Sequence, residues 1–238
     1  MESLYIVMPA YNEEANIESV VKQWYPLLKG KHEKSRLVIA DSGSTDRTHD
    51  ILVNMQREYP QLEIISNINQ YHGPKLIALY DLAIQNNIDY IFQTDSDGQT
   101  NPDEFEDFWQ ERSKYAGIFG NRTVRGDGND RAFVEKVVCI LLKLYFNVKV
   151  PDANAPFRLL KTDIVKKYLY NMASDYNLPN IMLTTYFSFY NEKICFKEIS
   201  FKPRQAGTNS VNISRIVKIG WNALGDFAEF RKGMKNNK

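Results

Sequence analysis

Hydrophobic and polar residues alternate in blocks along the first half of the chain. Short apolar runs predict strands at residues 4–8, 36–40, 62–66 and 90–94. The longer segments between them carry apolar residues at helical spacing, and they predict helices at 15–29, 48–59 and 75–86. Because this strand–helix–strand repetition is typical of a parallel sheet with right-handed crossovers, we expect an α/β fold.

The pattern changes after a further predicted strand at 118–120. A polar, Gly-rich loop at 123–130 precedes residues 133–146, which are apolar around most of the helical circumference. We interpret this segment as a buried helix, with a helix that faces a membrane or a partner as the alternative. Residues 151–158 are predicted to form a loop, and residues 198–202 a strand.

A last amphipathic segment covers residues 213–230, and a basic tail follows it. Its predicted apolar face includes Trp221, Leu224 and Ala228. The composition fits a helix that lies in a membrane interface. It fits equally well a helix whose apolar face packs on the protein's own core.

Composition and charge exclude some classes of function. The 238 residues include 30 Lys and Arg and 29 Asp and Glu, so we expect no nucleic-acid partner. No apolar stretch is long enough to span a bilayer. Cys139 and Cys195 lie in apolar runs without metal-ligand spacing, which predicts reduced, buried thiols. Because the chain begins with strand-like residues, we expect no signal peptide and a cytoplasmic location.

Two aspartates directly follow the fourth predicted strand. Asp95 and Asp97 are one residue apart, and Gln99 comes two residues later. Open α/β sheets bind ligands beyond the carboxyl ends of their strands, and closely spaced carboxylates suit Mg²⁺ or Mn²⁺. The alternative is an Asp-rich turn that caps a helix or lies in solvent.

Polar turns also follow the first two predicted strands. Residues 9–14 would expose backbone amides and a helix N-terminus, although a plain strand-to-helix turn would look the same. In residues 41–46, Gly43 permits close approach of the backbone, and a later Ser, Thr or Asp can cap the next helix. Capping does not explain Asp41, so we expect its carboxylate to accept hydrogen bonds from a base or ribose. The Gly-Lys-Ser/Thr element of a P-loop is absent.

The second half of the chain carries several arginines in predicted loops. An arginine fork binds phosphate through two parallel hydrogen bonds, so these residues suggest a second anion beside the metal, with solvated surface charges as the alternative. The candidates are Arg122, Arg125, Arg131, Arg158 and Arg204.

Taken together, the three strand-end motifs resemble those of the family-two inverting glycosyltransferases with the GT-A fold. The matching segments are 8–13, 40–46 and 94–99. The second half resembles the polyprenyl-phosphate branch of this family, which includes the dolichyl-phosphate mannose synthases. The matching segments there are 120–122, Arg131, 152–158 and 203–210. This resemblance implies a mixed, mostly parallel sheet flanked by helices. It implies one domain over 1–212, with a nucleotide-sugar half at 1–120 and an acceptor half at 121–212, followed by the helix and tail at 213–238.

The resemblance also implies roles for individual residues. The donor nucleotide would be bound by Pro9, Ala10, Tyr11, Glu13, Asp41 and Ser96. The metal, Mg²⁺ or Mn²⁺, would be held by Asp95, Asp97 and Gln99. An acceptor phosphate would be surrounded by Arg122, Arg131 and Arg204. Asp97 and Asp152 would complete the catalytic set, and Arg158 would lie near it.

The implied activity is metal-dependent, inverting transfer of a sugar from a UDP- or GDP-linked donor. A phosphate acceptor is already ionised, whereas a hydroxyl acceptor needs a general base, for which Asp152 and Asp175 are the isolated candidates. We therefore expect a polyprenyl phosphate acceptor, with a sugar or glycan hydroxyl in cell-surface polysaccharide synthesis as the alternative. An alternative of another class is a non-catalytic nucleotide-sugar binding protein. A lipid acceptor implies peripheral contact with the inner face of the cell membrane through 213–238.

Overall fold

The computed structural model describes residues 1–125, 129–203 and 213–236, except for the side chains of 124–125, 129–131, 213–222 and 235–236. The strands are β1 (Leu4–Ala10), β2 (Arg36–Asp41), β3 (Leu62–Ile65), β4 (Tyr90–Gln93), β5 (Gly117–Arg125), β6 (Arg158–Lys161) and β7 (Ile194–Phe201). The α-helices are α1 (Ile17–Trp24), α2 (Thr48–Met55), α3 (His72–Gln85), α4 (Phe105–Glu111), α5 (Asn129–Phe146), α6 (Thr162–Leu169), α7 (Pro179–Phe189) and α8 (Ile213–Asn236).

Within these ranges the strands form one seven-stranded sheet in the order β3-β2-β1-β4-β6-β5-β7. β1 to β4 pair in parallel, as the alternating pattern predicts. β6 runs antiparallel to β4 and β5, and β7 is parallel to β5. The expected mixed and mostly parallel sheet is therefore confirmed.

Alternate residues of β1 face opposite sides of this sheet. Tyr5 and Val7 join a hydrophobic cluster that includes residues of α3, α6 and α7. Leu4, Ile6 and Met8 join a second cluster, with residues of α1, α2 and α4. Successive strand side chains point to opposite faces, so the sheet is a central layer covered by helices on both sides.

The sequence pattern predicts no element between residues 159 and 193, where the structure has most of β6 and all of α6 and α7. The loop predicted at 151–158 is correct up to its last residue, because Arg158 begins β6. The four residues of β6 are held by pairing on both sides, with Gln93 of β4 and Phe119 of β5 opposite Arg158.

The prediction that residues 133–146 form a buried helix is wrong for one face of α5. Leu142 and Phe146 are buried, but Phe133 is 68% exposed and Leu144 is 73% exposed. The other described elements cover one side of the helix, and the apolar residues on its other side face solvent. Apolarity around a helix therefore does not establish that it is buried all round.

The predicted apolar face of the last helix is also wrong in the part whose side chains are described. Ala228 is exposed, whereas Phe227 and Met234 are buried against the protein. The Phe227 ring packs 5.6 Å from that of Phe146 in α5, so the large aromatic side chains determine which face packs. None of the described helices combines the length and apolarity needed to cross a bilayer.

Both cysteines are free thiols, as expected, but Cys139 and Cys195 are only partly buried.

Candidate functional site

The carboxyl ends of β1, β2 and β4 lie side by side. Ala10 pairs with Asp41 in the parallel register, and Val7 of the same strand pairs with Gln93, the last residue of β4. The three motif segments that follow these strands therefore begin at one edge of the sheet. This is where ligands bind in open α/β sheets.

Hydrogen bonds join the three segments. The amide of Asn12, which has a φ of 54°, donates to Ser44 Oγ at 3.0 Å, and the amide of Thr45 donates back to Asn12 Oδ1 at 2.8 Å. Ser96 Oγ donates to the carbonyl of Pro9 at 2.8 Å. The predicted nucleotide-binding residues Pro9 and Ser96 are thus brought into contact.

Asp41 lies at the base of this cluster and is buried. Ser44 Oγ donates to its Oδ1 at 2.5 Å, and His49 Nδ1 lies 3.1 Å from its Oδ2. The polar environment suits a carboxylate that accepts hydrogen bonds from a nucleoside. His49 is missing from the sequence prediction, because a histidine in the first turn of α2 has no motif of its own.

Lys75 of α3 is a second residue that the sequence prediction misses. Its side chain is buried, Nζ donates to the carbonyl of Ala10 at 2.6 Å, and the ammonium lies 5.3 Å from the centre of the Tyr11 ring. Burial lowers the pKa of Lys75 to about 8, against the opposing effect of the nearby Asp41 carboxylate. A buried cation therefore lies under the predicted nucleotide pocket.

Glu13 is also buried there, and its carboxylate accepts a hydrogen bond from Asn16 Nδ2 at 2.8 Å. Tyr11 is 41% exposed and offers its ring to solvent above Lys75.

The acidic loop after β4 presents two partly exposed carboxylates. Asp97 Oδ1 accepts the amide of Gln99 at 3.1 Å across Gly98, whose φ is 73°. His72 Nε2 lies 3.5 Å from Asp95 Oδ1, which adds a second histidine that sequence reasoning did not identify. The loop is thus a folded turn with both acids at its surface.

Gln99 connects this loop to the end of β7, the edge strand of the sheet. Its Nε2 donates to the carbonyl of Lys202 at 2.7 Å, and the amide of Lys202 donates to the Gln99 carbonyl at 2.8 Å. The side-chain nitrogen of Gln99 is therefore used in positioning, which leaves its Oε1 as the atom that could contribute to a metal site.

The acidic loop fits the divalent cation that the resemblance implies. In the part of the chain that the structure describes, no three His, Cys, Asp or Glu side chains form a metal-binding group. Asp95 and Asp97 supply two carboxylates, and Mg²⁺ commonly takes its remaining oxygens from water and substrate phosphates. The residues present therefore suit a cation that arrives with a diphosphate.

On the predicted acceptor side, Arg122 and Asp152 form a buried bidentate ion pair. Arg122 Nε donates to Asp152 Oδ2 at 2.7 Å, and Nη2 donates to Oδ1 at 2.9 Å. Glu135 of α5 adds a contact of 3.4 Å to Arg122 Nη2, and its other oxygen accepts the amide of Ala153 at 2.7 Å. In the structure Arg122 and Asp152 meet as an ion pair, and Glu135, which the sequence prediction did not include, joins them.

Arg158 is a buried residue that holds two segments of the backbone together. It is fully buried, and its guanidinium donates to the carbonyls of Ala155 and Asn180 and to Thr184 Oγ1. These bonds fasten the loop before β6 to the start of α7. The side chain of Arg131, and Arg204 as a whole, lie outside the described residues.

Comparison with known proteins adds independent information. Residues 5–169 match the model of the family described as glycosyl transferase family 2. The chain is 29% identical over 109 residues, 43% of its length and 33% of the relative's, to a dolichyl-phosphate beta-glucosyltransferase of Trichomonas vaginalis. It is 20% identical over 227 residues, 94% of its length and 67% of the relative's, to an undecaprenyl-phosphate 4-deoxy-4-formamido-L-arabinose transferase of Photorhabdus laumondii. The matched regions thus span from one third to two thirds of these relatives.

A solved structure has a similar fold over nearly all of this chain. Glucosyl-3-phosphoglycerate synthase from Mycobacterium tuberculosis, in complex with Mn²⁺, UDP-glucose and phosphoglyceric acid, matches with a TM-score of 0.70. The match covers 98% of this chain and 80% of that one at 16% sequence identity. At this identity the likeness shows the fold, which is of the GT-A type.

Proposed function

The chain belongs to glycosyl transferase family 2, and from this premise we propose that it moves a sugar from a nucleoside diphosphate sugar to a polyprenyl phosphate, with inversion at the anomeric carbon. The observation that carries the acceptor class is the buried ion pair between Arg122 and Asp152. The related dolichyl-phosphate and undecaprenyl-phosphate transferases support the same class.

The donor would bind at the edge formed by β1, β2 and β4. Asp41 would accept hydrogen bonds from the nucleoside, and Tyr11 would cover it from the solvent side. Asp95 and Asp97 would hold a divalent cation, which would neutralise the charge that develops on the leaving diphosphate. Lys75 would add a positive charge below the pocket.

The acceptor class follows from what Asp152 is able to do. A general base must have an oxygen directed at the hydroxyl that it deprotonates. Both oxygens of Asp152 accept from Arg122 inside the protein, so this carboxylate is committed to an ion pair. A phosphate acceptor needs no such base, because it is ionised at neutral pH.

The second candidate function is transfer to a sugar hydroxyl, with Asp175 as the base. Asp175 is exposed in the loop between α6 and α7. That loop packs closely against the start of α3, where a Cβ on Gly73 would lie 2.4 Å from the carbonyl oxygen of Tyr176. His72 next to Gly73 faces Asp95, so Asp175 belongs to a segment beside the donor edge.

A matched pair of acceptors tests the proposal. We expect nucleoside diphosphate release from UDP- or GDP-sugars with Mn²⁺ to be at least a hundredfold faster with farnesyl phosphate than with farnesol. The two acceptors differ only in the phosphate, and the release is measured by a coupled assay. Equal use of the alcohol, or a loss confined to Asp175→Asn, would favour the hydroxyl mechanism. Donor binding without any release or hydrolysis would favour a non-catalytic binding protein.

The buried lysine predicts a pH dependence of donor binding. Burial depresses the pKa of Lys75 to about 8, so its ammonium is present below that pH and is lost as the pH rises through it. We expect the affinity for Mg²⁺ with UDP or GDP to fall about tenfold between pH 7 and pH 9.5, measured by calorimetry. Lys75→Met should bind the nucleotide weakly at both pH values. Lys166→Met, which replaces an exposed lysine, is the control and should keep the wild-type dependence of affinity on pH. An unchanged profile in Lys75→Met would contradict this role.

A further inference from the structure

The exposed face of α5 carries an apolar stripe. Phe133, Val137, Ile140 and Leu144 are 68%, 38%, 58% and 73% exposed. Their spacing of four, three and four residues places them along one side of the helix. The stripe runs for about 16 Å at 1.5 Å per residue. Contiguous apolar surface of this kind marks an interaction site more often than scattered single residues do.

Positive charges flank this stripe. Lys136 follows Phe133 by three positions, and Lys143 follows Ile140 by three, so both exposed lysines lie on the same flank. Among the described side chains of α5 the acid is Glu135, which points inward to Arg122. The outward face is therefore apolar and cationic.

The stripe is presented by a fixed helix. Near its start, Glu135 bonds to Arg122 and to the amide of Ala153. At its end, Phe146 is buried and packs edge-on against Phe227 of α8. Both ends of the helix are fastened through its opposite face. The outward residues are therefore held in place, and none of the described elements covers them.

We propose that α5 docks this stripe on the surface of an anionic lipid bilayer. Amphipathic helices with lysines beside their apolar face lie in the interface, with that face buried about 5–10 Å into the boundary between headgroups and acyl chains. On its opposite face α5 carries Glu135, which bonds to Arg122 and to the amide of Ala153, so docking would place the ion pair between Arg122 and Asp152 directly behind the docked helix. This orientation rests on the proposed function, whereas bilayer binding itself does not.

A second copy of this chain is a poorer occupant. Four side chains provide a small part of the roughly 20–30 residues a side found in stable interfaces. Pairing two such stripes across a twofold axis would also bring Lys136 and Lys143 near their own counterparts. Anionic lipid complements the lysines instead.

Flotation with vesicles tests the surface without any turnover. The wild-type chain should float with phosphatidylcholine vesicles that contain 25% phosphatidylglycerol, and Ile140→Glu or Leu144→Glu should reduce binding at least tenfold. Val53→Glu is the matched control, because Val53 is an exposed β-branched residue on α2, and it should bind like the wild type. All three replacements are at exposed positions, so the thermal midpoint should not change.

The lysines give a second, graded readout. Lys136→Gln and Lys143→Gln should each weaken binding to the anionic vesicles about fivefold, the factor that corresponds to about 1 kcal/mol for one basic residue near such a surface. Binding to pure phosphatidylcholine should not change.

Several results would overturn the proposal. These are a wild-type chain that stays out of the vesicle fraction, an Ile140→Glu variant that floats normally, or a dimer by light scattering that Ile140→Glu dissociates. Turnover of soluble farnesyl phosphate by Ile140→Glu should equal that of the wild type. If no variant turns over this acceptor but the flotation pattern holds, the proposed function fails and the docking surface stands.

Discussion

Replacing Asp97 with asparagine is expected to remove at least 99% of turnover while the chain stays folded. The asparagine keeps an oxygen that can accept the Gln99 amide, now at 3.1 Å from Asp97 Oδ1, so the acidic loop retains its turn. What it loses is one of the two charges proposed to hold the cation at the diphosphate. Stabilisation of the leaving group by a metal is worth several kcal/mol, and about 3 kcal/mol corresponds to more than a hundredfold in rate.

The measurement combines nucleoside diphosphate release with the thermal shift produced by Mn²⁺ and UDP or GDP. Asp103→Asn is the matched control, because Asp103 is an exposed carboxylate six residues further along the same polar segment. It should keep both activity and shift. Undiminished turnover by Asp97→Asn, or wild-type turnover in excess chelator, would refute the assignment of Asp97 to the cation.

The donor side of the site is the part that the sequence predicts best. β1, β2 and β4 are apolar blocks long enough to read as strands, and the polar motifs begin where the blocks end. Parallel pairing then forces those ends together, as the register of Ala10 with Asp41 shows. Local pattern and topology point to the same result, so little else is needed to locate Asp41, Asp95 and Asp97.

The acceptor side depends on contacts between distant parts of the chain. Asp152 is 30 residues from Arg122, and Glu135 is 13 residues from it. Sequence shows the charges but not which of them neutralise one another, and that pairing decides whether Asp152 is able to act as a base. β6 is hidden for a related reason, since four residues that begin with an arginine become a strand through pairing on both sides.

Helical faces show the same limit. The apolar circumference of α5 predicts burial, but exposure depends on which elements pack against the helix. None of the described elements covers Phe133 or Leu144. In α8 the periodicity is clear, but the packed face is set by Phe227 meeting α5. A hydrophobic pattern establishes that a face needs a partner without identifying that partner.

Arg158→Met is expected to destabilise the fold by about 3 kcal/mol and to leave the donor chemistry intact. The methionine fills the space of the side chain but removes its donors. The carbonyl of Ala155 loses two hydrogen bonds, of 3.0 and 2.6 Å, and that of Asn180 loses one of 3.0 Å. A buried acceptor left without its partner costs about 1–3 kcal/mol. The loss of these donors therefore outweighs the free energy that is recovered when the buried cation is removed.

Urea unfolding measures this change, and for a chain of this size about 3 kcal/mol corresponds to a fall of roughly 6–12 °C in the melting temperature. Arg57→Met is the control, because Arg57 is an exposed arginine just after α2, and it should stay within about 0.5 kcal/mol of the wild type. Two roles for Arg158 give opposite results. If it fastens the loop before β6 to α7, stability falls and the affinity of the remaining folded protein for Mg²⁺ with a nucleoside diphosphate is unchanged. If it binds the acceptor phosphate instead, as its place among the candidate anion-binding arginines suggested, stability stays near the wild-type value and only the use of farnesyl phosphate is lost. Its complete burial among backbone carbonyls favours the first result.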